Sequence, residues 1–282
     1  MSTESGHWYD QDANAFHTIV GKNGKERNTT LADAKRLHLF PSVSGILGVL
    51  GKDSLSDWKH RQITEAAFMT QPKPGEFPAA YHTRIIEAAF KQVGDAAERG
   101  TRIHKAIEQH FQGEAYDYDL AVYVEAVDCW LQTHGVELIR QEVRCCNIGE
   151  GFAGTTDAEI IAMGVRGILD FKTRKTKRGK AVEPYETQVM QIAAYANTVL
   201  PLDGVGVNVY ISVTEPGRID ATWYSREEVA EAWEMFKHCA ALWRYMKGYD
   251  PRISPQSQDK PQGVPPLSEI AKTPVFHPLS QH

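Results

Sequence analysis

Hydrophobic and polar positions change period several times along the chain, and each change marks an element. Val136 to Cys146 alternates apolar with polar residues, the period of a half-buried strand. Two further apolar runs, Ala158 to Met163 and Gly167 to Phe171, flank Gly164 and predict a β-hairpin with a tight turn. Glu183 to Val199 then takes a helical period: Ile192, Ala196 and Val199 form the apolar stripe, and Gln188, Gln191 and Tyr195 share a neighbouring face. Val205, Val207, Val209, Ile211 and Val213 alternate strictly, and Arg218 to Tyr224 reads as their hairpin partner across Glu215-Pro-Gly.

The rest of the pattern is mostly helical. Val20-Gly-Lys-Asn-Gly predicts a turn or short hairpin, and Thr30 with Asp33 caps a helix over Leu31 to Leu37. Helices are expected from about Val43, over Leu55 to Met69, Ala79 to Phe90, Asp95 to Phe111 and Leu120 to Thr133, with a proline-rich loop from Pro72 to Pro78. Ser225 and Glu228 form a capping box for a long helix to about Lys247, apolar at Val229, Trp233, Phe236, Ala240 and Trp243. From Asp250 the chain turns proline-rich and is expected to be a flexible arm, with Val275-Phe276 as its apolar spot. These elements predict an α/β fold, a mixed β-sheet flanked by helices, with a helical N-terminal region. The expected division is an N-terminal extension (1–40), a main domain (41–249) and a tail (250–282).

Composition narrows the class. With 282 residues, 42% apolar and 24% charged, the chain can bury one sizeable core. No apolar run of about 18 residues is present, and the start MSTESGHWYDQ lacks a hydrophobic region, so a protein without membrane contact, located in the cytoplasm, is expected. Cys129, Cys145, Cys146 and Cys239 include no C-x-x-C pair, which points to reduced thiols rather than a tetrahedral metal site. A net charge of −5 argues against a broadly basic nucleic-acid binder. The local distribution differs: Lys172 to Lys180 reads KTRKTKRGK, and Arg99, Arg102 and Lys105 flank His104. Basic groups beside an acidic site suit phosphate contacts; a charge run alone is as readily a solvated loop.

The candidate chemistry lies in the hairpin. Folding about Gly164 and Val165 brings Asp157 to within a residue or two of Asp170 and Lys172, and the period of two puts Asp170 and Lys172 on one face. Paired carboxylates make an oxygen-rich site suited to Mg²⁺, and an adjacent lysine can hold a water or balance charge on a phosphodiester. A D-x-K triplet by itself is more often a structural ion pair. Upstream, His104 and Glu108 lie one helical turn apart. Glu142 falls on the first strand, facing either this site or the surface. Trp58, Lys59 and Arg61 are candidates for stacking and charge on a nucleic-acid strand, with the tryptophan as readily a core residue.

In chain order, G-T-R-I-H-x3-E, G-T-T-D, I-L-D-F-K-T and Q-I-A-A-Y resemble the RecB-type branch of the PD-(D/E)XK nuclease superfamily, in particular its mitochondrial genome-maintenance and phage exonuclease members. The resemblance spans about Ser42 to Tyr195; His7-Trp-Tyr-Asp and Pro41-Ser-Val-Ser-Gly-Ile-Leu also look like phage members. It implies a PD-(D/E)XK core and a metal-dependent deoxyribonuclease, an exonuclease of recombination, repair or replication. The alternatives are a structure-specific endonuclease, or a non-catalytic DNA-binding scaffold that kept the fold. The implied ligands of one or two Mg²⁺ or Mn²⁺ ions are His104, Asp157, Asp170 and the carbonyl of Phe171, with Glu108 either reaching the ion through water or orienting His104. Lys172 matches the catalytic lysine, and Gln191 and Tyr195 match the Gln-x3-Tyr motif. Arg99, Arg102, Thr173, Arg174, Gln188, Gln191 and Tyr195 would meet DNA, single- or double-stranded with ends, and a recombination or replication protein is a possible partner. Relatives with an iron–sulfur cluster carry a C-terminal cysteine trio that this chain lacks, so no such cluster is expected. If phage-encoded, the protein would act in the bacterial cytoplasm.

Overall fold

The computed structural model describes residues 7–51, 53–200 and 204–253. Most of the tail from Asp250, with Val275-Phe276, lies outside the described residues. The N-terminal part comprises β1 (Trp8–Tyr9), β2 (Thr18–Val20), β3 (Glu26–Asn28), α1 (Leu31–Leu37), β4 (Phe40–Pro41) and α2 (Val43–Leu47), which runs on into a 3₁₀ turn. The N-cap expected at α1 is present, as a full capping box: the Thr30 hydroxyl accepts from the Asp33 N–H, and the Asp33 carboxylate accepts from the Thr30 N–H. Next come α3 (Asp53–Met69), α4 (Pro78–Phe111) and α5 (Ala121–Thr133). The side chain of Trp58, on α3, lies outside the described residues.

The two helices expected over 79–90 and 95–111 are one. α4 runs unbroken for 34 residues, about 51 Å at 1.5 Å per residue. Gly94 lies in the stretch between them; a mid-helix glycine costs about 1 kcal/mol relative to alanine, which a helix packed over its C-terminal half tolerates. Pro78 begins α4 at a first-turn position, where its missing N–H costs nothing. α3 packs along the N-terminal half of α4 and leaves Phe68, Met69 and Phe77 exposed at the far end of the pair.

The remaining elements are β5 (Val136–Asn147), β6 (Phe152–Ala162), β7 (Val165–Arg174), α6 (Glu186–Val199), β8 (Val205–Ser212), β9 (Ile219–Tyr224) and α7 (Arg226–Lys247). β5 to β9 form one sheet in chain order. β7 and β8 pair in parallel through the α6 crossover, and every other pair is antiparallel. This is a mixed sheet flanked by helices, the coarse architecture expected. The β6–β7 turn is Met163-Gly164, both residues left-handed, as a two-residue hairpin of matching twist requires.

Alternation along the strands gives the sheet two apolar faces. Ala158, Ile160, Leu169, Val207 and Val209 meet Ile103 and Ile107 of α4 and Val124 and Val127 of α5. Phe152 and Ile168 meet Ile192 of α6 and Phe236 and Trp243 of α7. Each fully buried side chain of this size contributes roughly 1.5–3 kcal/mol relative to exposure. Trp8, Ala34, Leu39, Val43 and Ile46 belong to this second core, so residues 7–50 are built into the domain. Past α7, the Tyr249 hydroxyl donates to the carbonyls of Ala34 at 3.2 Å and Leu39 at 2.9 Å, which ties the segment after α7 to α1 and the turn before β4. No helix is long and apolar enough to cross a membrane among the described residues.

Candidate functional site

The β6–β7 ladder decides which polar groups meet. Ala158 pairs with Leu169, so the next step along the ladder brings Asp157 level with Asp170. The Phe171 N–H donates to Asp157 Oδ2 at 2.6 Å, which fixes that carboxylate against β7. Asp170 is 2% exposed. Lys172 Nζ donates to Asp170 Oδ1 at 2.6 Å, and Asn208 Nδ2 donates to Asp170 Oδ2 at 2.8 Å. Asn208 is itself held, because its Oδ1 accepts from the Tyr224 hydroxyl at 3.0 Å.

Asn208 was missed from sequence. Its signal was an amide in the otherwise apolar strand VGVNVYIS, since a buried polar side chain in such a strand must have a partner. The parallel β7–β8 register sets Asp170 beside Asn208, Lys172 beside Tyr210 and Arg174 beside Ser212. One strand face thus carries Asp170, Lys172 and Arg174 in succession.

Two close approaches account for two motif glycines. A Cβ at Gly154, in GTTD, would lie 2.7 Å from the Tyr195 hydroxyl and 2.8 Å from its ring. Tyr195 is buried, so this pair locks α6 onto β6. A Cβ at Gly100, in GTRIH, would lie 2.9 Å from Thr173 Oγ1, which marks where α4 crosses β7. That crossing carries His104, one turn further on, to the sheet: its Nδ1 lies 3.8 Å from Asp157 Oδ2 and its ring stands edge-on to Phe171 at 6.2 Å. At 3.8 Å this is too long for a hydrogen bond and becomes an ion pair when the imidazole is protonated.

The other predicted residues sort by distance from this cluster. Gln188 is buried, and its Oε1 accepts from the Tyr185 N–H and the Tyr210 hydroxyl, so it caps α6 and supports the sheet instead of presenting itself to solvent. Gln191 is half-buried on the same helix. Arg174 lies over the exposed Tyr185 ring at 4.0 Å, with its Nη2 buried and unpaired among the described residues. Glu108 accepts from Gln112 at 3.1 Å, within its own helix. Arg99 donates to the Tyr123 hydroxyl at 2.6 Å and Arg102 pairs with Asp117; both line a separate cleft of about 660 Å³. The Lys172–Lys180 loop is fastened: Arg218 donates to the carbonyls of Lys177 and Lys180, and Thr176 N–H to Thr214 Oγ1 at 2.9 Å. Lys175, Lys177, Arg178 and Lys180 stay exposed on it.

Electrostatics couples the cluster. Burial, together with the nearby Asp157, raises the Asp170 carboxyl above the usual carboxylate range against the pull of Lys172. Burial opposes the Lys172 ammonium, but Asp170 and Asp157 outweigh it and raise the amine net. The same balance raises His104, where burial is outweighed by Asp157, and Asp157 is correspondingly held low by His104 despite its own burial. Glu142 is exposed, yet partial burial first, then Asp157 and Glu108, push its carboxyl up to about 7, and its backbone sits in the left-handed region at φ 47°.

Among the described residues no group of three or more His, Cys, Asp or Glu side chains is gathered to hold a metal ion. The donors instead form two pairs, His104–Asp157 and Lys172–Asp170, the latter with both carboxylate oxygens already taken.

No protein-family model matches the chain, and no curated protein does. Among solved structures, one described as "Crystal structure of SSO0001" matches 72% of this chain and 91% of that chain at 17% identity, with a TM-score of 0.29. At that score the likeness carries no argument about fold or chemistry.

Proposed function

We propose that the protein is a metal-dependent deoxyribonuclease of the RecB-type PD-(D/E)XK class, an exonuclease acting on DNA ends. The observation that carries this reading is the Lys172–Asp170 hydrogen bond at 2.6 Å set level with Asp157 across the ladder. Supporting it, His104 reaches Asp157 from a different element, and Arg174 holds an unpaired, buried guanidinium nitrogen two residues beyond Lys172 on the same strand face.

The donor set suits a hard divalent cation in its chemistry: two carboxylates, of which Asp157 raises the proton affinity of Asp170, one imidazole, and the Phe171 carbonyl. His104, Asp157, Asp170 and that carbonyl would hold Mg²⁺ or Mn²⁺. The ion would supply Lewis acidity toward a phosphoryl oxygen. The chain's own groups do the rest. Lys172, kept as an ammonium by its two carboxylate neighbours, donates a hydrogen bond from Nζ and orients the attacking water or balances charge on the phosphate. Asn208 keeps Asp170 from rotating away. Arg174 meets a neighbouring phosphate, and the exposed lysines and arginines of the 175–180 loop add affinity that is independent of sequence and falls with salt.

The test uses the purified chain with end-labelled single- and double-stranded DNA in Mg²⁺, Mn²⁺ or EDTA, beside circular DNA and RNA. Linear DNA should be degraded only with a metal, and circular DNA and RNA should survive. Asp170→Asn and Lys172→Ala should each lower cleavage by at least about a thousandfold, roughly 4 kcal/mol of transition-state stabilisation, while retaining a cooperative melt. Full activity in either variant, or no cleavage by the parent chain, would sink the reading.

A further inference from the structure

Tyr185, the residue before the first turn of α6, has no role in the chemistry described so far. It is 54% exposed even though the Arg174 guanidinium lies over one face of its ring, 4.0 Å from the centroid. The ring is nevertheless placed by the fold. The Tyr185 N–H donates to Gln188 Oε1 at 2.9 Å, and the same oxygen accepts from the Tyr210 hydroxyl at 2.9 Å. Arg174 closes the circuit, since its guanidinium lies 5.6 Å from the Tyr210 ring as well. The β7–β8 register sets Tyr210 beside Lys172, so this circuit adjoins the carboxylate–lysine cluster. Arg174 itself follows Lys172 on one strand face, about 6.6 Å along at 3.3 Å per residue. Beyond it the exposed Lys175, Lys177, Arg178 and Lys180 continue the row of cations. The chain neighbours of Tyr185 differ in sign: Glu183 and Glu186 are exposed acids. They repel a phosphate from the ring and leave an uncharged, flat group as its suitable partner.

We infer that Tyr185 is the stacking face for a base of the bound DNA strand, at the nucleotide whose phosphate Arg174 meets. The inference rests on the nuclease reading and adds a contact to it. Arg174 on one ring face and a base on the other give a three-layer stack, cation, phenol and base. Every base has a π-face, so the contact is indifferent to sequence. It needs the ring and not the hydroxyl. Because the backbone of Tyr185 and the guanidinium beneath its ring are already fixed, little ordering remains to oppose stacking.

The experiment measures binding of the full chain, in EDTA to prevent cleavage, to two oligomers of about twelve units. One is oligothymidylate; the other is an abasic deoxyribose-phosphate chain of equal length, which keeps the phosphates and lacks the bases. The parent should bind oligothymidylate the more tightly. Tyr185→Ala should weaken that binding about tenfold and leave abasic binding unchanged, whereas Tyr185→Phe should match the parent on both. Should the alanine variant not fold, Tyr185→Leu keeps an apolar cover on Arg174 without a π-face and should lose thymidylate binding several-fold. Equal loss on both oligomers would mean that the ring serves only to hold Arg174, and would overturn the inference. So would undiminished thymidylate binding in a folded Tyr185→Ala or Tyr185→Leu chain, or absence of binding by the parent. Cleavage of linear DNA by the parent in Mg²⁺ reports on the nuclease reading separately: cleavage with unchanged binding in Tyr185→Ala sinks the stacking contact alone, and base-dependent binding without cleavage sinks the nuclease reading alone.

Discussion

The strand side and the helix side of the candidate site are built to different tolerances. On the strands, Asp157 is held by the Phe171 N–H, Asp170 by Lys172 and Asn208, and Asn208 by Tyr224. On α4, His104 meets Asp157 only across 3.8 Å, and Glu108 turns to Gln112. Ladder register fixes a side chain to a fraction of a residue, whereas a helix laid across a sheet depends on one crossing point, here Gly100 on Thr173. Changes to the packing and hydrogen bonds that frame the strand side should therefore cost stability, whereas a change at the helix crossing should cost activity with little loss of stability.

The largest stability effect is expected at Gly154→Ala. The new methyl would lie under 3 Å from the buried Tyr195 ring and hydroxyl, which cannot swing away without moving α6. Overpacking of this kind costs typically 1–3 kcal/mol, and the upper end is expected here, read as a shift of the urea midpoint. A loss below about 0.5 kcal/mol, the level of a neutral surface change, would show that the strand side is not rigid. Asn208→Ala comes next: it removes the amide that joins Asp170 Oδ2 to the Tyr224 hydroxyl, two buried hydrogen bonds, for about 1–2 kcal/mol. The same substitution should lower DNA cleavage, because Asp170 is then held by Lys172 alone.

The contrast also explains what could be read in the chain beforehand. The hairpin about Gly164, and with it the level meeting of Asp157 with Asp170 and Lys172, follows from a period of two and a turn residue, both local. The capping boxes at Thr30 and Ser225 are local in the same way. Asn208 was hidden because its meaning depends on the parallel β7–β8 pairing, which no local pattern specifies. Gln188 looked like a surface group because its helix face carries Gln191 and Tyr195 too; that this face turns to the sheet and to Tyr210 is a tertiary fact. The continuity of α4 through residues 91–94 is likewise not given by the local pattern.

A helix-side counterpart sharpens the contrast. At Gly100→Ala the added methyl meets only the Thr173 hydroxyl, the end of a side chain that can rotate, and alanine favours the helix by about 1 kcal/mol. Net stability should change by less than about 1 kcal/mol, while the crossing widens and His104 moves from Asp157. Under the proposed function, DNA cleavage should fall about tenfold, equivalent to about 1.4 kcal/mol. Unchanged activity with a large loss of stability would reverse the assignment of the two sides.

The smallest effect, and the one that separates charge from backbone strain, is at Glu142. Burial, Asp157 and Glu108 push its carboxyl up to about 7, against the opposing pull of His104 and Arg144. An acid whose folded value exceeds its unfolded value near 4.3 binds its proton more tightly when folded. Its contribution is therefore complete below about pH 4.3 and is lost as pH rises toward 7. Glu142→Gln removes the ionisation and should stabilise the protein at pH 8 by on the order of 1 kcal/mol at most, far less than the full shift implies because the residue is exposed and solvent screens its charge. At pH 4 the two proteins should match, since the parent is then protonated. The left-handed backbone at residue 142 is common to both, so strain cancels in the comparison. Denaturation midpoints at pH 4, 6 and 8 check the sign. A gap of equal size at all three would mean that the residue acts through packing, and that the strand side of the site does not feel its charge.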